Sequence, residues 1–537
     1  MDMFTDYKQA IVCPYCFQTF SHKEVHFRME SYFDQNNLND EGYQLEDFQT
    51  PGVVPDRDKE RLMQQTAERW PFLIKDDKLY TDWWKEYGET TEKAYGIDAK
   101  LPCKVYQLPI LNPSDPKAQK SLKVVHADKT GVDSFLGLDG DGMAVSIVDR
   151  FGHETRRRVC PHCHNPLPIN YGKNNVKFIS VIGITGSGKT VYLSQLLSGL
   201  QEAVASLNMT ATATTDIANF IMSNPVCAGV PLPPASVEGR FSQPMVYDLS
   251  RSVSETAVQT ETIVLYDIAG EDCQSANAMQ KYGKFVQNSN AILLLIDPQK
   301  QLDLKTKSTT VDGRMRMAPQ VVLDTIHNVF LKLPQTEKCG IPLAVCVSKS
   351  DTFLNYIKDP EARKIAESDI IPLRDDRTQD FIPEFNAEEY NKLNQEIRKL
   401  TQGPLMAVLK VGFTTYNFFA FSATGCATEV RADENTGESY QYLTGPAAPK
   451  RIAEPLFWIF CKLGYIKPHS AILRPVPGLP EEFFEVEIKN GLWGLHKEKL
   501  VIRKSDIQMA ENQGKNIKVI GPADPPEEYL KGLIYEP

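Results

Sequence analysis

Residues 176–190 read VKFISVIGITGSGKT. The opening run, VKFISVIG, is short, apolar and closed by a glycine, which predicts a buried strand. The segment from Gly183 to Thr190 fits G-x-x-x-x-G-K-[ST] without a departure. Glycines at these positions let the backbone curl around a phosphate chain so that successive N–H groups point inward. The next residues, KTVYLSQLLSGL, have helical spacing and predict a helix over 190–200. Its positive dipole end would then face the phosphates. Lys189 would reach the β and γ oxygens, and the Thr190 hydroxyl would hold Mg²⁺. The strand–loop–helix setting separates this match from a chance one. Nucleotide binding is therefore expected at Gly183, Thr185, Gly186, Ser187, Gly188, Lys189 and Thr190.

Beyond this stretch the chain alternates between strand-like and helix-like segments. Strand candidates are QPMVYDLS, TETIVLYDIAG, AILLLIDP, IPLAVCVSKSD and YNFFAFSATG. Helical spacing appears in MAPQVVLDTIHNVFLKL, EEYNKLNQEIRKLTQ and PKRIAEPLFWIFCKLGYI. Short apolar runs separated by helices predict a mostly parallel sheet covered on both faces. FFEVEIKNGLWGL and NIKVIG predict a small β-rich extension at the C-terminal end.

The strand TIVLYDIAGED ends in Asp267-x-x-Gly270. An acid at the end of the strand beside the loop's own strand can hold Mg²⁺ through water, and Gly270 can offer its N–H to a γ-phosphate. Glu271 follows. Later, CVSKSD places Ser348, Lys349 and Asp351 at a strand end, and FAFSATG places Ser422 and Ala423 at the next one. Asp351 would accept hydrogen bonds from guanine N1–H and the exocyclic amine. Adenine lacks that donor pair and would leave the carboxylate unpaired. Each short motif is common alone, but their order after the phosphate loop points to guanine.

Taken together, these motifs resemble the TRAFAC-class GTPases over about Val176–Lys467. The knuckle CPHCHNPLP, the run DIAGED and the helix RIAEPLFWIF look like bacterial double-GTPase families with an N-terminal zinc ribbon, which are assigned to conflict (anti-phage) systems. The resemblance implies a P-loop α/β fold, Mg²⁺-dependent GTP hydrolysis, and Lys189, Asp267, Gly270 and Glu271 as the catalytic set. Two positions depart from the family pattern. Ser348 replaces an Asn or Thr, which weakens guanine contact. Glu271 replaces a Gln, which puts the attacking water's positioning in doubt and implies slow or activator-dependent turnover. The loop VCAGVPLPPASVEGRFSQP has the topological position of a first switch. Ser236 is the candidate Mg²⁺ ligand there, against the alternative of an ordinary loop serine. Arg240, Arg314 and Arg316 could supply an arginine finger, but solvated surface arginines are the better expectation.

Two knuckles of the form C-P-[YH]-C occur, Cys13/Cys16 and Cys160/Cys163. Facing each other, they would make a closed tetrahedral Cys₄ site, which suits structural Zn²⁺. The separation is far longer than in ordinary ribbons, so an insertion is required. The alternatives are a local site using His22 and His26, substitution of a thiol by His162 or His164, and a redox Cys-x-x-Cys pair. The redox pair should be followed by a helix, whereas strand-like FQTF follows here. LDGDGM reads as a hairpin turn because it lacks the later acids of a calcium loop. The basic run TRRR reads as a solvated strand face.

The expected organisation is a split zinc ribbon (1–30 plus 143–172), an insertion (31–142), a P-loop GTPase domain (173–467) and a C-terminal extension (468–537). The 537 residues are 42% apolar and 24% charged, with a net charge of -10. That balance disfavours a broad nucleic-acid footprint. The acidic N-terminus shows no secretory signal, and apolar runs fall well short of the ~20 residues that span a bilayer. Cysteines within apolar runs, such as Cys346 and Cys461, suggest reducing cytoplasm rather than disulfides. The expected activity is a GTP/GDP switch with a protein effector or co-encoded partner. The alternatives are a nucleotide-gated adaptor without useful turnover and, more weakly, a ribbon-type nucleic-acid binder.

Overall fold

The computed structural model describes residues 10–29, 51–61, 77–86, 110–120, 122–127, 133–149, 152, 154–183, 186–215, 217–234, 243–254, 256–269, 284–298, 322–324, 326–334, 336–368, 384–401, 403–432, 439–469, 483–490, 496–503, 507 and 517–523. The chain divides into two compact units, Met1–His469 and Ser470–Pro537.

In the first unit, β1 (Ile11–Val12) pairs antiparallel with β2 (Thr19–Phe20) around the first knuckle. β3 (His26–Arg28) follows. The segment expected to be an insertion supplies α1 (Lys78–Glu86) and β4 (Ile110–Leu111). β4 and β5 (Arg157–Val159) flank β3 on its two sides, so the ribbon sheet has the order β5-β3-β4. The aromatic cluster TDWWKEY lies mostly within α1. Tyr80 and Trp84 are four residues apart on one helical face and both are buried. Trp84 Nε1 donates to Asn165 Oδ1 at 2.7 Å, which fixes α1 to the second knuckle.

The expected solvated TRRR face requires a correction at Arg158, which is 3% exposed. Its guanidinium donates to the carbonyls of Pro168 (3.1 Å) and Tyr171 (2.9 Å), which meets the cost of burying the cation. LDGDGM does form a hairpin turn: Asp139 Oδ1 accepts from the backbone N–H of Asp141 and Met143, both at 3.0 Å.

The main sheet is built on β6 (Val176–Gly183), followed by α2 (Lys189–Ala205). Then come β7 (Met209–Ala213), β8 (Met245–Ser254), β9 (Ala257–Ala269), β10 (Ala291–Ile296), β11 (Leu343–Val347), α3 (Ala387–Leu400) and β12 (Tyr416–Ala420). A separate hairpin, β13 (Thr428–Ala432) and β14 (Ser439–Leu443), precedes α4 (Glu454–Lys462). The sheet order is β7-β8-β9-β6-β10-β11-β12. The run from β9 to β12 is parallel, and β7 and β8 extend it antiparallel. Every residue of β10 is buried, as a central parallel strand covered on both faces requires. Of the expected helix around MAPQVVLDTIHNVFLKL, residues Ile326–Phe330 form one π-helical turn.

Alternation along β6 sends Ile179 and Val181 to one face and Phe178 and Ile182 to the other. The first face packs under α2 and α4, through residues such as Leu193, Leu197, Leu456 and Phe460. The second packs against Leu393 and Ile397 of α3 and also against Cys13, Tyr15 and Phe20 of the ribbon. The ribbon therefore shares a core with the nucleotide sheet. In the second unit, β15 (Phe483–Asn490) lies between β16 (His496–Arg503) and β17 (Ile517–Ala523), all antiparallel. Among the described residues, no helix is long and apolar enough to cross a membrane.

Candidate functional site: a nucleotide pocket and a four-thiol cluster

β6 ends in the middle of its sheet, where the carboxyl ends of parallel strands open a crevice. Two conformational features shape the loop there. Gly186 (φ +84°) and Gly188 (φ +71°) are left-handed, and a Cβ on Gly183 would stand 2.5 Å from the Lys189 side chain. Lys189 is thereby held as the first residue of α2. Its ammonium forms an ion pair with Asp267, which lies on β9 in register with Val181. Both side chains are nearly buried, at 5% and 11% exposure. A phosphate entering here must draw Lys189 away from that carboxylate.

Across the crevice, β11 runs into the segment Ser348–Asp351. Lys349 takes a left-handed turn (φ +53°), and a single 3₁₀ turn, Ser350–Thr352, leaves Asp351 exposed. The Ser350 N–H donates to the Phe421 carbonyl at 3.0 Å, which ties this segment to the loop after β12. The Ser348 hydroxyl donates to the Ile296 carbonyl at 3.1 Å, so it pins two strand ends together. In the second loop, Ser422 Oγ accepts from the Gly425 N–H at 3.0 Å. A Cβ on Gly425 would overlap the Ala448 carbonyl.

Gly183, the run from Gly186 to Thr190, Ser348, Lys349, Asp351, Ser422 and Ala423 line one cavity of about 680 Å³. Asp267 reaches it through its pairing with Lys189. Thr185, Ser236, Gly270 and Glu271 lie outside the described residues, as do Arg240, Arg314 and Arg316. Asp297 was not singled out in the sequence and also lines the cavity. It is buried, with Oδ2 3.6 Å from Lys349 Nζ and 3.2 Å from where a Cβ on Gly186 would sit. Its signal was available: an acid directly closing the fully apolar strand AILLLI.

The four knuckle thiols converge on the ribbon side. Cys13, Cys16, Cys160 and Cys163 have their sulfur atoms all within 4.8 Å of one another. Cys13–Cys163 are 3.7 Å apart and Cys16–Cys160 3.6 Å. A tetrahedron with Zn–S of about 2.3 Å has S···S of about 3.8 Å, so the donor set fits that ion.

The two knuckles are near copies of each other. Tyr15 N–H points at Cys13 Sγ and His162 N–H at Cys160 Sγ, each at 3.3 Å. Phe17 and His164, each directly after its second cysteine, are both left-handed and donate back to the Cys13 and Cys160 carbonyls. Three of the four histidines raised as alternative ligands are engaged elsewhere. His164 Nδ1 bonds Asp77 Oδ1 (2.7 Å) and its Nε2 faces His26 Nδ1 (3.1 Å), while His22 Nδ1 accepts from the Ala144 N–H. Asp77 also pairs with buried Arg28 at 2.5 Å. The first knuckle reaches the nucleotide sheet directly. Pro14 carbonyl accepts from the Tyr266 hydroxyl at 2.8 Å, and Phe17 packs on Phe178, Tyr266 and Phe285.

Burial, aided by His164, lowers the His26 pKa to about 4. The folded state therefore stays unprotonated where the unfolded chain, with a pKa near 6.5, takes up a proton. The stability that His26 contributes is full above about pH 6.5 and declines as the pH falls towards 4. Thermal melts of wild type and His26→Gln from pH 7.5 to 4.5 should show the wild type losing ground on acidification. A constant gap between the two would contradict this.

A mostly parallel sheet, a glycine loop opening a helix, an acid on the neighbouring strand and two further loops at the strand ends together define an α/β domain of the GTPase fold. Residues 177–398 match the family described as Double-GTPase 2, and the chain carries a TRAFAC-type double-GTPase resemblance. A curated relative, the putative ESX-1 scaffolding and assembly protein SaeC of Mycolicibacterium smegmatis, is 23% identical over 353 residues, covering 62% of this chain and 86% of that protein. Among solved structures, the Ski7 GTPase-like domain of S. cerevisiae is similar in its GTP-bound form (TM-score 0.26, 14% identity) and in its form with GDP and inorganic phosphate (TM-score 0.24, 13% identity). Each match covers 61% of this chain and 58% of the Ski7 chain, so this chain spans less than two thirds of that length.

Proposed function

We propose that this chain is a guanine-nucleotide switch of the bacterial cytoplasm that hydrolyses GTP slowly and acts through a protein partner. The observation that carries this reading is a single cavity with Lys189 and the glycine loop on one wall and Asp351, Ser422 and Ala423 on the other. That spacing suits a nucleotide with phosphates at one end and a guanine at the other. In this reading the backbone from Gly183 to Thr190, including Thr185, cradles the phosphates, and Lys189 neutralises the outer ones. Ser348 and Lys349 shape the base slot while Asp351 selects the base. Thr190, Asp267 and Ser236 would hold Mg²⁺, which supplies neutralisation of phosphate charge when bound. Gly270 would report the third phosphate, and Glu271 would orient the attacking water. The four cysteines would hold a structural Zn²⁺, with 1–30 and 143–172 forming the ribbon, 31–142 the insertion, 173–467 the GTPase domain and 468–537 the extension.

Competition binding with GTP, GDP and ATP tests the nucleotide reading. GTP and GDP should displace each other, with ATP weaker by about 100-fold or more. Equal binding of ATP would defeat the guanine assignment. A second reading, an adaptor that binds GTP or GDP without useful turnover, is favoured by the scaffolding and assembly name of the mycobacterial relative. The family resemblance instead favours a role in a conflict system. Phosphate release from the purified protein, alone and with cell extract, separates enzyme from adaptor. Absence of release in both conditions supports the adaptor.

A further inference from the structure

The cavity has a third wall, on which the proline-rich loop read above as a first switch meets a hairpin that no motif accounts for. It is made by Leu232, Pro233 and Pro234 on one side and by Ala427, Thr428 and Gln441 on the other. The second group belongs to the β13–β14 hairpin and its root. This hairpin leaves the chain directly after the Ser422–Gly425 loop, stands outside the main sheet and has every residue of β13 exposed. An isolated two-stranded hairpin is marginal in water, so its position needs outside support.

Its root closes through the Thr444 N–H, which donates to the Ala427 carbonyl at 3.0 Å. Further out, the hairpin is tied to the proline loop. Pro231, Pro233 and Pro234 have no backbone N–H, so Leu232 carries the only backbone donor from 231 to 234. That N–H donates to the Gln441 carbonyl at 2.8 Å, and Pro231 bridges Tyr442 in antiparallel register. The proline loop is held from behind by α2. Ser194 Oγ donates to the Asn224 carbonyl (2.6 Å), and Gln195 Nε2 to the Val226 carbonyl (3.2 Å). A continuous line of contacts thus runs from the helix that opens at the phosphate loop, through the proline loop, to the loop on the base side.

The chemistry of this wall differs from that of the rest of the cavity. The cations, Lys189 and Lys349, lie on the other walls, and the described residues of the third wall, Leu232, Pro233, Pro234, Ala427, Thr428 and Gln441, are all uncharged. The charged residues of the two described strands, Glu429 and Arg431, alternate onto the opposite face of the hairpin, where Arg431 pairs with Glu429 and stacks on Tyr442. Proline rings, a leucine and small side chains with one amide suit a neutral, flat base and a hydroxylated sugar, not phosphates.

We propose that β13–β14 and the proline loop form a clamp for the nucleoside half of the bound nucleotide, with the Leu232 N–H as its positioning contact. This rests on the nucleotide reading above. The test compares wild type with Leu232→Pro, which removes the tie, and with a chain in which residues 428–443 are replaced by a short glycine linker. Radiolabelled GDP dissociation and inhibition by inorganic tripolyphosphate are measured on each. Both variants should release GDP about tenfold or more faster, as loss of apolar pocket contact predicts, while tripolyphosphate inhibition stays within about twofold. Leu232→Pro removes this tie and one lining side chain from a chain of unchanged length, so it still decides the matter if the shortened chain does not fold. Unchanged GDP release from Leu232→Pro overturns the clamp. An equal loss of tripolyphosphate binding also overturns it, because the wall would then act on the phosphate loop. A wild-type chain that binds neither GDP nor GTP overturns the nucleotide reading and the clamp with it.

Discussion

Lys189→Ala should lower GTP and GDP affinity by about 100-fold or more. A lysine that meets phosphate oxygens at a nearly buried position makes charge-assisted hydrogen bonds of about 1.5–3 kcal/mol each, and two of these account for that factor. The ion pair with Asp267 adds to the effect. Without the ammonium, an unpaired carboxylate remains at low exposure beside the phosphates and repels them. Asp267→Asn should therefore behave in the opposite sense when Mg²⁺ is chelated. It frees Lys189, and GDP affinity should hold or rise. With Mg²⁺ present, the same variant should bind GTP more weakly, because one candidate ligand is gone. Isothermal titration of both variants, with and without chelator, reads all of these outcomes. A Lys189→Ala chain within about threefold of wild type would rule out the phosphate assignment.

The second large effect concerns the metal. Elemental analysis should find one zinc per chain, and Cys163→Ser should lose it. Structural zinc contributes on the order of 10 kcal/mol in small ribbons. Here the ribbon shares a core with the sheet, so several kcal/mol of that should appear as a melting temperature lower by about 10 °C or more. Acid should strip the ion. Burial pushes the Cys13 and Cys163 thiols well above their ordinary range, so these two hold their protons at neutral pH without metal, whereas hydrogen bonds from the neighbouring thiols pull Cys16 down. Binding must expel those protons, and affinity falls as pH falls. A zinc-free chain that melts at the wild-type temperature would show that the thiols are merely packed.

Much of the candidate site was legible because its residues lie close together in sequence. The strand VKFISVIG, its glycine loop and the start of its helix are adjacent in sequence, and the structure places β6 on that run. The segments Ser348–Asp351 and Ser422–Ala423, which line the same cavity, were legible for the same reason, since each sits at the end of an apolar strand. What escaped depends on contacts between distant segments. Asp297 gains its place only when β10 lies beside β6 and β11. The β13–β14 hairpin has little apolar alternation, since TEVRA and SYQYL are held by a proline loop about two hundred residues earlier rather than by a core. Arg158 looked like surface because its partners are backbone carbonyls, which no residue pattern announces. β7, with its small and polar MTATA, is an edge strand that its antiparallel neighbour defines.

The thiol cluster joins positions 144 and 150 residues apart. Closing a loop costs entropy that grows only with the logarithm of its length, about 0.6 kcal/mol for each doubling. Outside α1 and β4, which pack into the ribbon, the segment between the knuckles can therefore change length at small thermodynamic cost while the thiol cluster stays the same. The same spacing sets an order of events on the ribosome. At about 5–20 residues per second, the first knuckle waits on the order of ten seconds or more for Cys160 and Cys163. The second pair is made just before the phosphate loop, so the ribbon becomes able to close as the nucleotide domain begins to emerge.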